Sequence, residues 1–192
     1  MSKKILGIIP ARAGSVRVKN KNFRPFAGTT LTNIAIEQAL EANLLEDIIV
    51  TSDSPDVLKI TSNYKNVIQI NRPKSLSLNT SSALEYQIHA LKLMNDEYNK
   101  TFDWVVIIQP TSPLRSGKDI DATIELFKKY PNADSAVSIV KLKHMVHPSK
   151  LKLLDNYKLI PFLNDEKEKT SAYQLPDVYV RNCAVYIFKV SN

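Results

Sequence analysis

A single cysteine, Cys183, in 192 residues excludes an intrachain disulfide and any cysteine-based metal cluster, which fits a reducing compartment. Its chemistry reads as that of a small packing residue. The chain has only four glycines, and the match to G-x-x-x-x-G-K-S/T or to G-x-G-x-x-G fails, so neither the P-loop nor the dinucleotide fingerprint applies. No apolar run approaches the roughly 20 residues that span a bilayer. The N-terminus Met1-Ser2-Lys3-Lys4 leads into an apolar run too short for a signal peptide. The expectation is a cytoplasmic protein with no membrane partner. Histidine is scarce too: His144 and His147 lie three apart with no third ligand nearby, which argues against zinc. Acidic residues are in deficit, 19 against 26 lysines and arginines, for a net charge of +7. The cations are scattered over Lys3 and Lys4, the first loop, Lys128 and Lys129, and a late lysine-rich stretch. They form no dense basic helix, so an anionic small molecule is favoured over nucleic acid.

What is present is enough apolar sequence for one core. A hydrophobic fraction of 44% points to a single globular domain over 1–192. Ile5-Leu6-Gly7-Ile8-Ile9 is a continuous apolar run, as expected of a strand covered on both faces. A helical pattern follows at Leu31, Ile34, Ala35, Leu40 and Leu44, with Thr30 or Thr32 as cap. Asp47 to Thr51 predicts a second buried strand ending at Ser52-Asp53, and Ser54-Pro55-Asp56 a helix start. Val67 to Ile70 predicts a third strand. Leu84, Ile88 and Leu91, with Ala83, Ala90 and Met94 beside them, predict one face of a long helix to about Tyr98. Phe102 to Ile108 predicts a central strand. Ser116 caps a helix to Tyr130 with Ile120, Ile124 and Phe127 buried, and further strands are predicted at 135–140 and 184–188. Between them, 141–176 loses its periodicity and reads as an arm leaving the sheet. This alternation predicts a three-layer, doubly wound α/β fold with a mostly parallel sheet.

Ligands in such sheets bind beyond the carboxyl ends of the strands. The polar clusters at 10–22, 52–53, 71–82 and 109–115 all fall there. The first is Pro10 to Asn22, P-A-R-A-G-S-V-R-V-K-N-K-N, where small residues allow backbone N–H groups to approach an anion. Arg12, Arg17, Lys19 and Lys21 supply charge, so the loop reads as a triphosphate cradle. Asp53 reads as a strand-end carboxylate serving a helix terminus.

Ile9-Pro10-Ala11-Arg12-x-Gly14-Ser15, Lys21-Asn22 and Gln109-Pro110-Thr111-Ser112-Pro113-Leu114-Arg115 together resemble the acylneuraminate cytidylyltransferase family, the CMP-sialic acid synthetases and their relatives. Thr51-Ser52-Asp53, Arg72-Pro73 to Ser82, His147-Pro148-x-Lys150, Gln174-Leu175-Pro176 and Asn182-x-Ala184-x-Tyr186 support the resemblance, which runs in order over essentially the whole chain. It implies a nucleotide-diphospho-sugar transferase-like fold, and transfer of CMP from CTP to a nine-carbon 2-keto sugar acid with Mg²⁺. It implies that Arg12 and Lys21 hold the triphosphate and stabilise the departing pyrophosphate. Asn22, Arg72 and Ser82 would recognise the nucleotide, with Ala11, Ala13, Gly14 and Ser15 of the first loop. Gln109, Lys150, Gln174 and Tyr186 would meet the sugar acid. The arm would cross to a partner subunit in a C₂ homodimer.

Three positions depart from the family pattern. Val16 stands where lysine is common, Ala172 where an arginine helps clamp the sugar carboxylate, and Cys183 where glycine is usual. The family's magnesium-binding Asp-x-Asp segment, beyond the last strand, has no counterpart before Asn192. Asp119-Ile120-Asp121 resembles it, but its position in a first helical turn predicts a structural role. A cytidylyltransferase for an eight-carbon sugar acid, or a catalytically silent CTP-binding and dimerisation module, are the alternatives.

Overall fold

The computed structural model describes residues 3–14, 18–163 and 175–190. Strand β1 (Ile5–Pro10) is buried along almost its whole length, because its apolar residues serve both faces of a sheet at once. A short hairpin, β2 (Pro25–Phe26) and β3 (Thr29–Thr30), leads into α1 (Leu31–Leu40), whose N-cap Thr30 accepts from the Asn33 N–H. Strand β4 (Asp47–Ser52), α2 (Pro55–Thr61) and β5 (Ile68–Asn71) follow. After a 3-10 turn at Lys74–Ser77 come α3 (Ala83–Tyr98), β6 (Trp104–Ile107) and α4 (Gly117–Lys128). The remaining strands are β7 (Ser135–Lys141), β8 (Lys152–Asp155), β9 (Lys158–Pro161) and β10 (Tyr179–Lys189).

The six-stranded sheet has the order β5-β4-β1-β6-β10-β7. β1 pairs in parallel with β4 and β6, and β4 with β5, whereas β10 runs antiparallel to β6 with Tyr186 opposite Ile107. The three-layer, mostly parallel α/β architecture is therefore present. Alternation along β1 divides the core: Ile5 and Ile9 join residues of α1 and α4 on one face, while Leu6 and Ile8 join Tyr86, Ala90 and Met94 of α3 on the other. Each fully buried aliphatic side chain contributes about 1.5–3 kcal/mol.

The face of α3 differs from its expected one. Tyr86, Gln87, Ala90 and Met94 are buried, whereas Leu84 and Ile88 are 58% and 56% exposed. Two apolar stripes run along this helix, and periodicity alone does not say which meets the sheet. Helix α4 starts as expected, with a capping box between Ser116 and Asp119. Its Gly117 is required by packing: a Cβ there would lie 2.6 Å from the Glu41 backbone at the end of α1.

By backbone contacts the chain divides into two compact units, residues 1–138 with 183–192, and residues 139–182. The second contains the β8–β9 hairpin, whose turn at Asn156 and Tyr157 has two positive φ angles, as a tight hairpin requires. Its Lys141 pairs with Asp177 at 2.7 Å.

Candidate active site

Because β1, β4, β5 and β6 are parallel, the segments after Pro10, Ser52, Asn71 and Ile107 emerge at one edge of the sheet. There they enclose a cleft of about 340 Å³, lined by Pro10, Arg12, Lys21, Asn22, Arg72, Ala83, Tyr86, Gln109, Pro110 and Thr111. A smaller cavity of about 180 Å³ shares Arg12, Arg72, Ala83 and Tyr86 with it and extends to Leu76, Leu78, Asn79, Ser81 and Ser82. Among the described residues, three cations line the main cleft and no carboxylate does.

Each cation is fixed differently. Arg12 Nη1 donates to the carbonyls of Ser77 (3.2 Å) and Leu78 (3.1 Å), tying the first loop to the segment after β5. Arg72 is buried. Its Nη2 donates to the Thr51 carbonyl (2.8 Å) and its Nε to Thr51 Oγ1 (3.2 Å), while its guanidinium lies 4.4 Å from the centre of the Tyr86 ring. A desolvated cation–π contact of this kind is worth about 2 kcal/mol. Burial pushes the Arg72 pKa down, opposed by Tyr86 and Asp53, and Arg12 lowers it further. Burial likewise pushes the Tyr86 phenol up. Lys21 is half-buried and has no carboxylate partner among the described residues.

The first loop is shaped by its own hydrogen bonds. Asn22 Nδ2 donates to the Arg12 carbonyl at 2.9 Å, and the Asn22 carbonyl accepts from Thr32 Oγ1 at 2.7 Å. Ala11 is buried, with its N–H on the Thr51 carbonyl and its own carbonyl accepting from Ser52 Oγ at 2.6 Å. The Ala13 N–H donates to Asp53 Oδ1 at 2.8 Å, so Asp53 braces the loop. Gly14 is exposed, with open space where a side chain would stand. Ser82 lines the smaller cavity and also caps α3, its Oγ accepting from the Leu84 N–H and its own N–H donating to Glu85.

The structure thus brings together Arg12, Lys21, Asn22, Arg72 and Gln109, with Ser82 in the adjoining cavity. Tyr186 lies on β10 and packs with the α3-side core. Lys150 belongs to the 139–182 unit, where it ends a 3-10 turn. That turn is held by His147, which contacts Ser149 Oγ at 2.5 Å and the Pro176 carbonyl at 3.2 Å. Ser15, Val16, Arg17, Ala172 and Gln174 lie outside the described residues. Tyr86 is the lining residue that sequence reasoning missed; a lone aromatic one turn into the helix after the Arg72 loop is the only signal for it.

The acidic pair is engaged elsewhere. Asp119 Oδ2 accepts from the Ser116 N–H and hydroxyl, which holds its pKa below the usual carboxylate range. Asp121 accepts from the Asn43 and Leu44 N–H groups. No group of three or more acidic, histidine or cysteine ligands able to hold a metal occurs among the described residues. They do not fit a protein-built magnesium cage.

A larger cavity, about 680 Å³, opens at the opposite end of the strands, lined by Lys3, Asp103, Lys128, Lys189 and the rings of Phe102, Trp104, Phe127 and Tyr130. Its lysines are paired: Lys3 with Asp103 (2.9 Å), Lys128 with Glu125 (2.8 Å), and Lys189 with Asp134 (3.4 Å), Lys189 also donating to the Pro131 carbonyl (2.8 Å). Size favours this cavity, but the cationic strand-end cleft has the better chemistry for an anionic ligand.

A doubly wound, mostly parallel sheet with a cationic cleft at its strand ends is an α/β architecture suited to an anionic ligand. Solved structures agree on the fold: CMP:2-keto-3-deoxy-manno-octonic acid synthetase complexed with CTP superposes with a TM-score of 0.66 at 16% identity, covering 97% of this chain and 74% of that one. 4-Diphosphocytidyl-2C-methyl-D-erythritol synthase from Anaerococcus prevotii gives 0.61 at 17% identity, covering 98% and 72%. The sequence model of the cytidylyltransferase family matches residues 6–191, and the chain belongs to that family. It is 31% identical over 188 residues to the N-acylneuraminate cytidylyltransferase of Escherichia coli O18:K1:H7, covering 97% of this chain and 42% of that protein. It is 34% identical over 140 residues to the CMP-N,N'-diacetyllegionaminic acid synthase of Legionella pneumophila, covering 73% and 60%. The chain therefore spans about half the length of these two relatives. No described helix is long and apolar enough to cross a membrane.

Proposed function

We propose that this protein transfers CMP from CTP to the anomeric hydroxyl of a nine-carbon 2-keto sugar acid, releasing pyrophosphate. The observation that carries the reading is the cleft lined by Arg12, Lys21 and Arg72, with no carboxylate among its described lining residues, at the strand ends of a cytidylyltransferase-family sheet. A triphosphate brings several negative charges, and a cationic site without competing anions binds it without displacing an existing ion pair.

In the reaction the sugar's anomeric oxygen forms a bond to the α-phosphorus as the bond from that phosphorus to the bridging oxygen breaks. Pyrophosphate leaves, and the hydroxyl proton passes to solvent. No enzyme nucleophile is needed, so the protein's contribution is alignment and charge stabilisation. Arg12 Nη1 is committed to Ser77 and Leu78, which leaves its other N–H groups to meet phosphate oxygens. Lys21 supplies a point charge to the same group. Arg72, clamped by Thr51 and Tyr86, offers its remaining N–H groups to the nucleotide beside Asn22 and Ser82. Gln109 would meet the sugar acid from the β6 end, with Tyr186 of β10; Lys150 and Gln174 are assigned to the same ligand by the family resemblance alone. Magnesium would travel with CTP, held by phosphate oxygens and water, in keeping with its small demand for protein ligands.

The partner in this reading is a second copy of the chain. Leu153, Leu154, Leu159 and Ile160 of the β8–β9 hairpin are exposed, with Tyr157 fully exposed at its tip, an apolar surface suited to burial in a homodimer. The working compartment is the cytoplasm, where CTP is available.

An eight-carbon substrate is the second reading, favoured by 28% identity over 173 residues to the 3-deoxy-manno-octulosonate cytidylyltransferase of Bdellovibrio bacteriovorus, covering 90% of this chain and 64% of that protein. Pyrophosphate release with CTP and Mg²⁺, across nine-carbon and eight-carbon sugar acids and a no-sugar control, separates the two. Release dependent on a nine-carbon acid is expected. Release only with the eight-carbon acid selects the second reading, and silence from folded protein that still binds CTP leaves a binding module.

A further inference from the structure

Arg115 is 5% exposed and forms no ion pair among the described residues. A buried guanidinium held only by neutral acceptors is costly, because desolvation is not repaid by an opposite charge in contact. Burial pulls its pKa down to about 10, with partial compensation from Asp119, so it remains charged at neutral pH. What it touches explains why such a group is kept.

Its Nη1 donates to two carbonyls at once, Gln109 at 3.1 Å and Ala184 at 2.7 Å, and its Nη2 donates to Gln38 Oε1 at 2.7 Å. Gln38 in turn donates from Nε2 to the Pro113 carbonyl at 2.9 Å, and Ser112 Oγ donates to the Cys183 carbonyl at 3.2 Å. The location is where the β6–β10 ladder ends. Tyr186 is opposite Ile107, so continuing the antiparallel register by two residues sets Ala184 opposite Gln109. One side chain therefore bridges the two backbones beyond their last ladder pair and anchors both to α1. Its neighbour Cys183 has a φ of 60°, a left-handed conformation that non-glycine residues hold at a cost.

We infer that Arg115 is a positioning residue for the sugar-acid side of the cleft: it sets the Gln109-Pro110-Thr111 wall against the strand that carries Tyr186. This rests on the proposed function. Gln109, Pro110 and Thr111 line the cleft, while Arg115 is not among its lining residues, so its effect passes through them. The nucleotide side is built by other elements, from Arg12, Lys21, Asn22 and Arg72. A loss at Arg115 therefore moves the acceptor's site and spares the donor's. Lysine cannot replace it, since one ammonium does not span acceptors on three elements.

The test is Arg115→Lys, with the sugar-acid KM measured at saturating CTP by pyrophosphate release, and CTP affinity measured separately by calorimetry. The sugar-acid KM is expected to rise roughly tenfold or more, the scale of a displaced substrate-positioning group, while the CTP Kd stays within about twofold. An unchanged KM overturns the assignment, as does a parallel loss of CTP affinity, which is what general disruption would give. Should Arg115→Lys fail to fold, Gln38→Met removes the Nη2 acceptor and the Pro113 tether, and the same criterion applies. A wild-type chain that turns over no sugar acid overturns the proposed function and this assignment with it. An active wild type with an indistinguishable variant overturns this assignment alone.

Discussion

The two ends of the sheet carry the same kind of charge in opposite states. At the amino ends of the parallel strands, Lys3, Lys128 and Lys189 are each paired with a carboxylate, Asp103, Glu125 and Asp134 in turn. At the carboxyl ends, Arg12 and Arg72 are held by backbone carbonyls and a hydroxyl, and Lys21 has no carboxylate partner among the described residues. A carbonyl fixes a guanidinium in place without cancelling its charge, whereas a carboxylate does both. The cleft therefore combines rigidity with residual positive potential, and the larger cavity does not. Cavity size by itself is a poor guide to the site; what counts is what the lining charges already have.

The largest expected effect comes from removing that unneutralised charge. Arg12→Ala and Lys21→Ala should each weaken CTP binding or turnover at least about tenfold, equivalent to roughly 1.4 kcal/mol, whereas Lys128→Ala should leave both within about twofold. Calorimetric titration of CTP checks this, and equal losses at both ends would erase the distinction between them. A smaller effect should follow from making the cleft resemble the other end. Thr111→Asp adds a carboxylate to a lining that has none among the described residues, and CTP affinity is expected to fall severalfold, more strongly at low ionic strength. The complementary change, Asp103→Asn, removes the partner of Lys3 and is expected to create no CTP site.

The smallest effect concerns pH. Asp103 has its pKa held below the usual carboxylate range, first by the hydrogen bond from the Lys3 side chain and then by the Lys4 N–H. A depressed carboxylate contributes stability in full above its unfolded pKa and loses it as pH falls through the folded value. Lys3→Ala should therefore lower stability slightly at neutral pH, with the difference from wild type closing below about pH 4. Urea unfolding at a series of pH values measures it, and a pH-independent difference would contradict the linkage.

Much of this contrast could be read in the sequence, and the reasons are local. Continuous apolar runs before Pro10 and Ser52 suit strands covered on both faces, and parallel strands deliver their following loops to one edge. Arg12, Lys21, Asn22, Arg72 and Gln109, each in a polar cluster that follows a strand, line one cleft there. Ser116 announced α4 because a capping hydroxyl followed three residues later by a carboxylate is a short-range signal. What depends on tertiary choice was not legible. The direction of β10, the stripe of α3 facing the sheet, and the burial of Tyr86 and Arg115 follow from packing partners remote in sequence. An arginine in a polar turn ordinarily reads as solvent-exposed; only the carbonyls of Gln109 and Ala184 and the amide of Gln38 reveal why this one is inside.

The segment 139–182 departs from β7 and returns on β10, which are neighbours in the sheet, and the Ser138 hydroxyl contacts both the N–H (2.9 Å) and the carbonyl (3.3 Å) of Val185. Exit and re-entry are thus stapled side by side before the segment begins. Closing a long loop between fixed ends costs little more than closing a short one. The insert can accordingly be exchanged, lengthened or trimmed at this seam with the strand-end cleft, which other segments build, left in place.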